Sequence, residues 1–174
     1  MPSSYRYYKE EIKKYLVNKW GKGASILDVG AGCGTYFDLL GDYFKNIDGV
    51  EVYKPNIEKY ELERKYRGVY NEDIREFNYT YYDIVIFGDV LEHLEVEEAQ
   101  KVLEYAIDRS KEVVVAVPYQ YEQGVVEGNV YEIHKQADLT PEIMQKRYPS
   151  LELLIGNEEY GYYVSKIDKK EGIC

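Results

Sequence analysis

The stretch ILDVGAGCGTYFDLL, residues 26–40, sets an apolar run against an amphipathic one with a glycine-rich turn between them. ASILDV (24–29) reads as a short buried strand and TYFDLLGDYF (35–44) as a helix. A glycine loop joining strand to helix lets backbone N–H groups approach a small polar ligand closely. Working outward, the same alternation repeats. NIDGVEV (46–52) is a second strand, and PNIEKYELERKYRG (55–68) a helix with Pro55 at its start and Gly68 past its end. GVYNED (68–73) gives a third short strand, and YYDIVIFGDV (81–90) is a continuous apolar run, as expected of a strand covered on both faces.

LEVEEAQKVLEYAIDRS (94–110) follows as a helix with Val96, Ala99, Leu103, Ala106 and Ile107 on one face and three glutamates in its first turn. KEVVVAVP (111–118) is another buried strand ended by Pro118. TPEIMQKRYPS (140–150) is a short helix with Thr140 as N-cap. SLELLIGNEE and YGYYVSKID close the chain as two alternating strands, an antiparallel pair at a sheet edge. Before the first strand, Tyr5, Tyr8, Ile12, Tyr15 and Leu16 sit at helical spacing, with Ser4 as N-cap and Gly21 as stop. The expected architecture is α/β: a doubly wound, mostly parallel seven-stranded sheet with a C-terminal antiparallel hairpin. One domain over residues 1–174 is expected, with an N-terminal helix within 1–21 and an irregular, substrate-facing loop at 119–140.

Composition narrows the function. Hydrophobic residues make up 45%, and no apolar run approaches the roughly 18–20 residues that cross a bilayer. The opening MPSSYRYYKEEIKKYL is too charged and aromatic for a signal peptide. Cys33 and Cys174 form no spaced framework, so a reducing cytoplasm is the simplest setting. A net charge of −10, from 32 acidic against 22 basic residues, disfavours bulk nucleic acid. The Lys13-Lys14 and Lys169-Lys170 pairs are too short to offset it. The 21 tyrosines read as core and surface aromatics.

The loop Gly30-Ala31-Gly32-Cys33-Gly34-Thr35 departs from the dinucleotide pattern G-x-G-x-x-G, because its third glycine comes one place early. A G-K-[ST] ending is absent as well. Glu51, about twenty residues beyond Gly30, stands where a carboxylate reaches ribose hydroxyls. Asp73 follows the third strand, placed to accept from an adenine amino group. Each acid alone reads as a solvated loop carboxylate; acids at the ends of consecutive strands read as a set.

Asp28-x-Gly30-x-Gly32-x-Gly34, Glu51, Asp73 and the segment DIVIFGDVLEHL together resemble the class I S-adenosylmethionine-dependent methyltransferases, over nearly the whole chain. The resemblance implies that Gly30, Gly32 and Gly34 wrap the methionine portion, Glu51 binds the ribose and Asp73 the adenine. It also implies that Asp28, Ala31, Val52, Ile74 and Asp89 lie in the cofactor site.

Both histidines fall near the acceptor end: His93 in GDVLEHL and His134 in the 119–140 loop, where Tyr121 and Glu132 are also expected to face substrate. Three readings stay open. Glu92 and His93 are structural; or His134 or His93 is a general base, its pKa suiting proton removal at neutral pH; or Asp89, Glu92, His93 and His134 hold a divalent cation. The last follows from a likeness of D-x-x-E-H to the E-x-x-E-H of a metal-dependent subset that methylates catechol-like or ribose-diol hydroxyls. The tyrosine face of the N-terminal helix either packs on the sheet, caps the cofactor or lines the acceptor pocket. The expectation is methyl transfer to a small-molecule hydroxyl or amine, against a non-catalytic adenosylmethionine-binding protein or an NAD-dependent oxidoreductase.

Overall fold

A computed structural model describes residues 6–166 of the chain. Ser4, Tyr5, Cys174 and the Lys169-Lys170 pair, which carried expectations above, lie outside the described residues. Helix α1 (Lys9–Lys19) leads into β1 (Ser25–Val29), α2 (Thr35–Leu40), β2 (Asn46–Val50), α3 (Lys54–Lys59), α4 (Leu62–Lys65) and β3 (Gly68–Tyr70). Then come β4 (Tyr82–Gly88), α5 (Val96–Asp108), β5 (Ser110–Pro118), α6 (Pro141–Arg147), β6 (Leu151–Gly156) and β7 (Tyr160–Ser165).

The seven strands form one sheet in the order β3-β2-β1-β4-β5-β7-β6. The first five are parallel, and β7 runs antiparallel to both β5 and β6. Ile26 of β1 sits level with Ile47 of β2 and Ile84 of β4, so apolar rows run across the sheet. Alternation within a strand sends Val85 and Phe87 to one face, under α5 and α6, and Ile84 and Ile86 to the other, under α1 to α4. Both faces are covered, and this explains why the parallel strands read as unbroken apolar runs. Strand order reverses between β1 and β4, opening a crevice at their carboxyl ends.

The helices meet their expectations with local differences. α5 has a capping box in which the Glu95 and Glu98 side chains and backbone amides bond reciprocally. Thr140 Oγ1 accepts from the Ile143 amide at 3.2 Å to cap α6. α1 begins after Tyr8, whose φ of 56° breaks the helical path. α2 stops at Gly41, short of the expected Phe44, which is buried in the turn beyond. The single helix expected from Pro55 is two short ones, broken where Glu61 takes φ 51°.

The closing hairpin differs in burial. β7 is buried at every position because it lies between β5 and β6 instead of at the edge. β6 is the edge strand and exposes Leu153 and Leu154. Among the described residues no helix is long and apolar enough to cross a membrane.

Gly88, the last residue of β4, lies under the buried ring of Tyr36 from α2. A Cβ there would stand 2.0 Å from Tyr36 Cε2 and 2.7 Å from Cζ. Gly88→Ala is therefore expected to lower stability by about 1–3 kcal/mol, since the ring must shift from its packed position. The loss should show as a lower urea midpoint at unchanged slope.

Candidate active site

The loop after β1 turns sharply because Gly30, Gly32 and Gly34 all take positive φ, of 67°, 54° and 87°. At Gly30 a side chain is excluded twice over, by the left-handed backbone and by Val90 Cγ2, 2.7 Å from where a Cβ would stand. The Gly30 and Ala31 amides donate to the Val50 carbonyl at 2.9 and 3.0 Å. The Gly32 amide donates to Glu51 Oε2 at 2.7 Å, and the Tyr53 amide to Oε1 at 2.8 Å. Glu51 is thus held by backbone on both oxygens. Burial raises its pKa, and the amides of Tyr53 and Gly32 oppose that rise.

A cavity of about 460 Å³ opens beside this loop, beyond the carboxyl ends of β1, β2 and β4. Gly30, Ala31, Gly32, Glu51, Val52, Asp73, Ile74 and Asp89, eight of the residues named from the sequence, line one part of it. At the other end stand Glu92, His93, Tyr121, Glu132 and His134, so the 119–140 loop does face this rim.

Two expected cofactor residues lie elsewhere. Asp28 is buried behind the loop in β1, where its Oδ2 accepts from Tyr66 Oη at 2.5 Å and Oδ1 has no partner. Burial pushes its pKa up to about 7, partly offset by the Tyr66 bond and by Lys9. Gly34 faces α4, with Lys65 Nζ 3.1 Å from its would-be Cβ, because it caps α2 on the side away from the cavity. Asp73 lines the cavity, but both its oxygens accept from the Arg75 guanidinium, at 2.9 and 2.6 Å.

The second cluster is built by two segments far apart in sequence. Leu91–His93 form a single 3-10 turn directly after β4. The amides of Lys135 and Gln136 donate to the Glu92 carbonyl at 2.8 and 3.0 Å. The buried Gln136 side chain donates to the carbonyls of Leu91 and Leu94. These bonds bring the His134 ring to 4.8 Å from that of His93.

Each imidazole has its Nδ1 against a backbone carbonyl, His134 at 2.7 Å from Tyr121 O and His93 at 3.3 Å from Ile133 O. A donating Nδ1–H leaves Nε2 with its lone pair. Burial lowers the pKa of both, His93 to about 4 with His134 adding to the effect, so neither ring is charged near neutrality. Glu92 is fully buried and neither carboxylate oxygen has a hydrogen-bond partner. Burial, and then the nearby Asp89, raise its pKa well above the usual carboxylate range.

One ligand atom from each of Glu92, His93 and His134 lies within 4.8 Å of the others, a geometry open to a divalent ion. Asp89, the fourth expected ligand, is not in this group. Its φ of 59° turns it toward β7, and Oδ1 accepts from Tyr160 Oη at 2.7 Å. The N-terminal helix takes the packing alternative. Tyr8 and Tyr15 rest on the sheet core, Tyr15 Oη donates to Glu112 Oε1 at 2.5 Å, and no described residue of α1 lines the cavity. Sequence reasoning missed Tyr36, which lines the cavity, together with Tyr160 and Lys9 behind it. Tyr36 had a local signal, since it sits in the first turn after the glycine loop. The other two had none.

A family model described as a methyltransferase domain matches residues 3–117. No curated protein sequence matches the chain. Among solved structures, an S-adenosylmethionine-dependent methyltransferase from Clostridium acetobutylicum aligns with TM-score 0.71 at 14% identity, covering 95% of this chain and 92% of that one. An amino pentose methyltransferase from Micromonospora echinaspora, solved with bound S-adenosylmethionine, aligns with TM-score 0.64 at 12% identity, covering 95% and 93%. Magnesium protoporphyrin IX methyltransferase from Synechocystis, solved with the same ligand, gives TM-score 0.60 at 14% identity, covering 91% and 78%. At such identities the likeness is one of fold.

The buried Asp28 makes a pH-dependent prediction. Below about pH 4 its carboxyl is protonated folded and unfolded alike. As pH rises toward 7 the unfolded chain releases this proton while the folded chain, with its pKa at about 7, keeps it. Stability contributed by this group therefore falls across that window and levels off above it. Asp28→Asn keeps an oxygen for Tyr66 and cannot ionise. Relative to the parent protein it should gain nothing near pH 4 and on the order of 1–4 kcal/mol by pH 8, read from urea melts at both.

Proposed function

The chain belongs to the methyltransferase domain family and is an S-adenosylmethionine-dependent methyltransferase with the class I Rossmann-like fold, and from that premise we propose that it methylates a hydroxyl or amine of a small-molecule acceptor, bound at the Glu92–His93–His134 end of the cavity. The observation that carries the reading is Glu92. Its carboxylate is buried without a partner, within reach of two imidazoles, on the wall of the same cavity that Glu51 lines. A buried polar group left unsatisfied costs stability, and a functional site is the usual reason for one to persist.

S-adenosylmethionine supplies an electrophilic methyl group on a sulfonium centre. The residues present fit it: Glu51, already fixed by two amides, keeps acceptor capacity for the ribose hydroxyls, and the Gly30–Gly32 backbone lies open beside it. Val52 and Ile74 offer apolar contact to the adenine, and Asp73 accepts from its amino group only while also serving Arg75. Orientation is then the chief catalytic contribution of the chain, worth roughly 7–11 kcal/mol at best.

At the acceptor end Glu92, His93 and His134 would hold a divalent cation, which there would lower a hydroxyl's pKa and orient it. The fit rests on the chemistry of the donor set. Two rings held through Nδ1 on backbone carbonyls present Nε2, and Glu92 has no other bond to give up. A second reading, His134 as general base, is favoured by its 2.7 Å bond to Tyr121 O, which leaves Nε2 to accept the acceptor's proton. Small acceptors, not polyanionic ones, suit the walls, where Glu51, Glu72, Asp89 and Glu132 outweigh the paired Arg75 and Lys135. The amino pentose and porphyrin acceptors named for two structural relatives are of that kind.

Calorimetric titration with S-adenosylhomocysteine is expected to show binding that Glu51→Ala weakens by about tenfold or more, from loss of charge-assisted bonds. Absence of binding by the folded protein would overturn the cofactor site. Once an acceptor is found, a chelator should abolish turnover and manganese restore it, with Glu92→Gln inactive in either case. Full activity in chelator, lost in His134→Ala, would instead establish the base.

A further inference from the structure

We infer that the methyl acceptor carries a positively charged amino group and that Glu132 recognises it, an assignment that rests on the small-molecule reading above and narrows it. Glu132 lies on the cavity wall at the end of the 3-10 turn Val130–Glu132. The loop is built to hold it there. Gly128 takes φ 81° and lets the chain reverse, and Val126 and Asn129 exchange backbone hydrogen bonds of 3.3 and 2.8 Å across the reversal. Asn129 is buried. Its Oδ1 accepts from the Tyr131 amide at 3.0 Å, and its Nδ2 donates to Glu132 Oε1 at 3.2 Å. Gln123 Nε2 donates to the Glu132 carbonyl at 2.8 Å and to Oε2 at 3.4 Å.

Both donors to this carboxylate are neutral amides, and among the described residues no lysine or arginine pairs with it. The two cations on the wall are engaged elsewhere, Arg75 by Asp73 and Glu98 and Lys135 by Glu95. Glu132 stands instead within electrostatic reach of Glu51 and Asp89, and Glu92 within reach of Glu132. Carboxylates that converge on a cavity repel one another, and the more so away from water. An acidic wall alone does not make a site. Glu92 is the independent sign of a ligand, since it is fully buried on the same wall and neither of its oxygens is bonded. The donor atoms gathered around Glu92 come from His93 and His134 and not from Glu132. A divalent ion held there therefore leaves Glu132 without a counter-charge of its own, and an ammonium on the acceptor supplies one.

The surroundings suit an ammonium carried on an apolar body. Tyr131, the neighbour of Glu132 in the chain, lines the cavity, as does Tyr121, whose ring lies 5.4 Å from that of His134. Aromatic faces attract organic cations, and a carboxylate beside them adds a charge-assisted hydrogen bond. Two of the four lone-pair positions of the Glu132 carboxylate are taken by the amides, which leaves acceptor capacity for such a bond. An acceptor bearing a phosphate or carboxylate meets repulsion at the same wall, and a neutral alcohol gains no charge assistance from Glu132.

The test uses a matched pair of probes, benzylamine and benzyl alcohol, which share a ring and differ in charge near neutral pH. The full chain is saturated with S-adenosylhomocysteine in the presence of chelator, and each probe is titrated by ligand-observed NMR. Benzylamine is expected to bind about tenfold more tightly than benzyl alcohol. Glu132→Gln, which keeps the size of the side chain, should bring the two within about twofold and leave affinity for S-adenosylhomocysteine unchanged. Glu72→Gln removes a charge from an exposed position on the same wall and should keep the preference. No preference in the parent protein, or one that survives Glu132→Gln, would overturn the assignment. An equal loss in Glu72→Gln would also overturn it, because the summed charge of the wall would then be responsible. If Glu132→Gln weakens S-adenosylmethionine and not benzylamine, the carboxylate serves the sulfonium and the assignment is wrong. Failure of the folded parent protein to bind S-adenosylhomocysteine would refute the cofactor site itself, and the assignment falls with it.

Discussion

The amide of Gly32 donates to Glu51 Oε2 across 2.7 Å, and much of the site depends on that bond. It ties the loop leaving β1 to the end of β2, next to the paired amides of Gly30 and Ala31 on the Val50 carbonyl. The three bonds hold a turn that only glycine enters readily, since φ is positive at three alternate positions. Because the turn is fixed, α2 starts where Tyr36 covers Gly88, and Gly88 sets where the chain leaves β4 toward Asp89. A hydrogen bond between two adjacent strand ends thus positions the glycine-loop half of the cavity.

Electrostatically the cavity has two characters. Near the glycine loop its carboxylates are bonded: Glu51 to amides, Asp73 to Arg75, Asp89 to Tyr160. Near the histidines, Glu92 has only burial and a raised pKa, and both rings are neutral. The first arrangement is what binding a preformed ligand requires, since every group is already oriented. The second is a set of donors whose own hydrogen bonds are incomplete, which suits chemistry at that end.

The long loop after β5 is less free than its sequence suggests. Its start is fixed by the Tyr119 amide on Glu159 and its end by the two amides on the Glu92 carbonyl, with Gln136 buried beneath. What stays at the surface are Tyr121, Val130 and Tyr131, an apolar rim around an acidic interior. Such a rim can accept the body of a small molecule while the interior orients its polar end.

The sequence by itself determined the parallel strands, because burial on both faces leaves unbroken apolar runs, and the glycine turn after β1, because three closely spaced glycines admit few backbones. It also determined α5, whose glutamates cap it locally, and it named His93 and His134 as residues of interest. Only the tertiary structure decided that these two rings meet, since the contact depends on how a loop some forty residues on closes against the Glu92 carbonyl. It likewise decided that Asp89 turns to Tyr160, that Asp28 and Gly34 stand behind the loop, and that β7 is fully buried. Lys9 gave no local sign at all. Periodicity, caps and turns are written in neighbouring residues, whereas strand order and the partners of buried charges are set by segments that meet only after the sheet has formed.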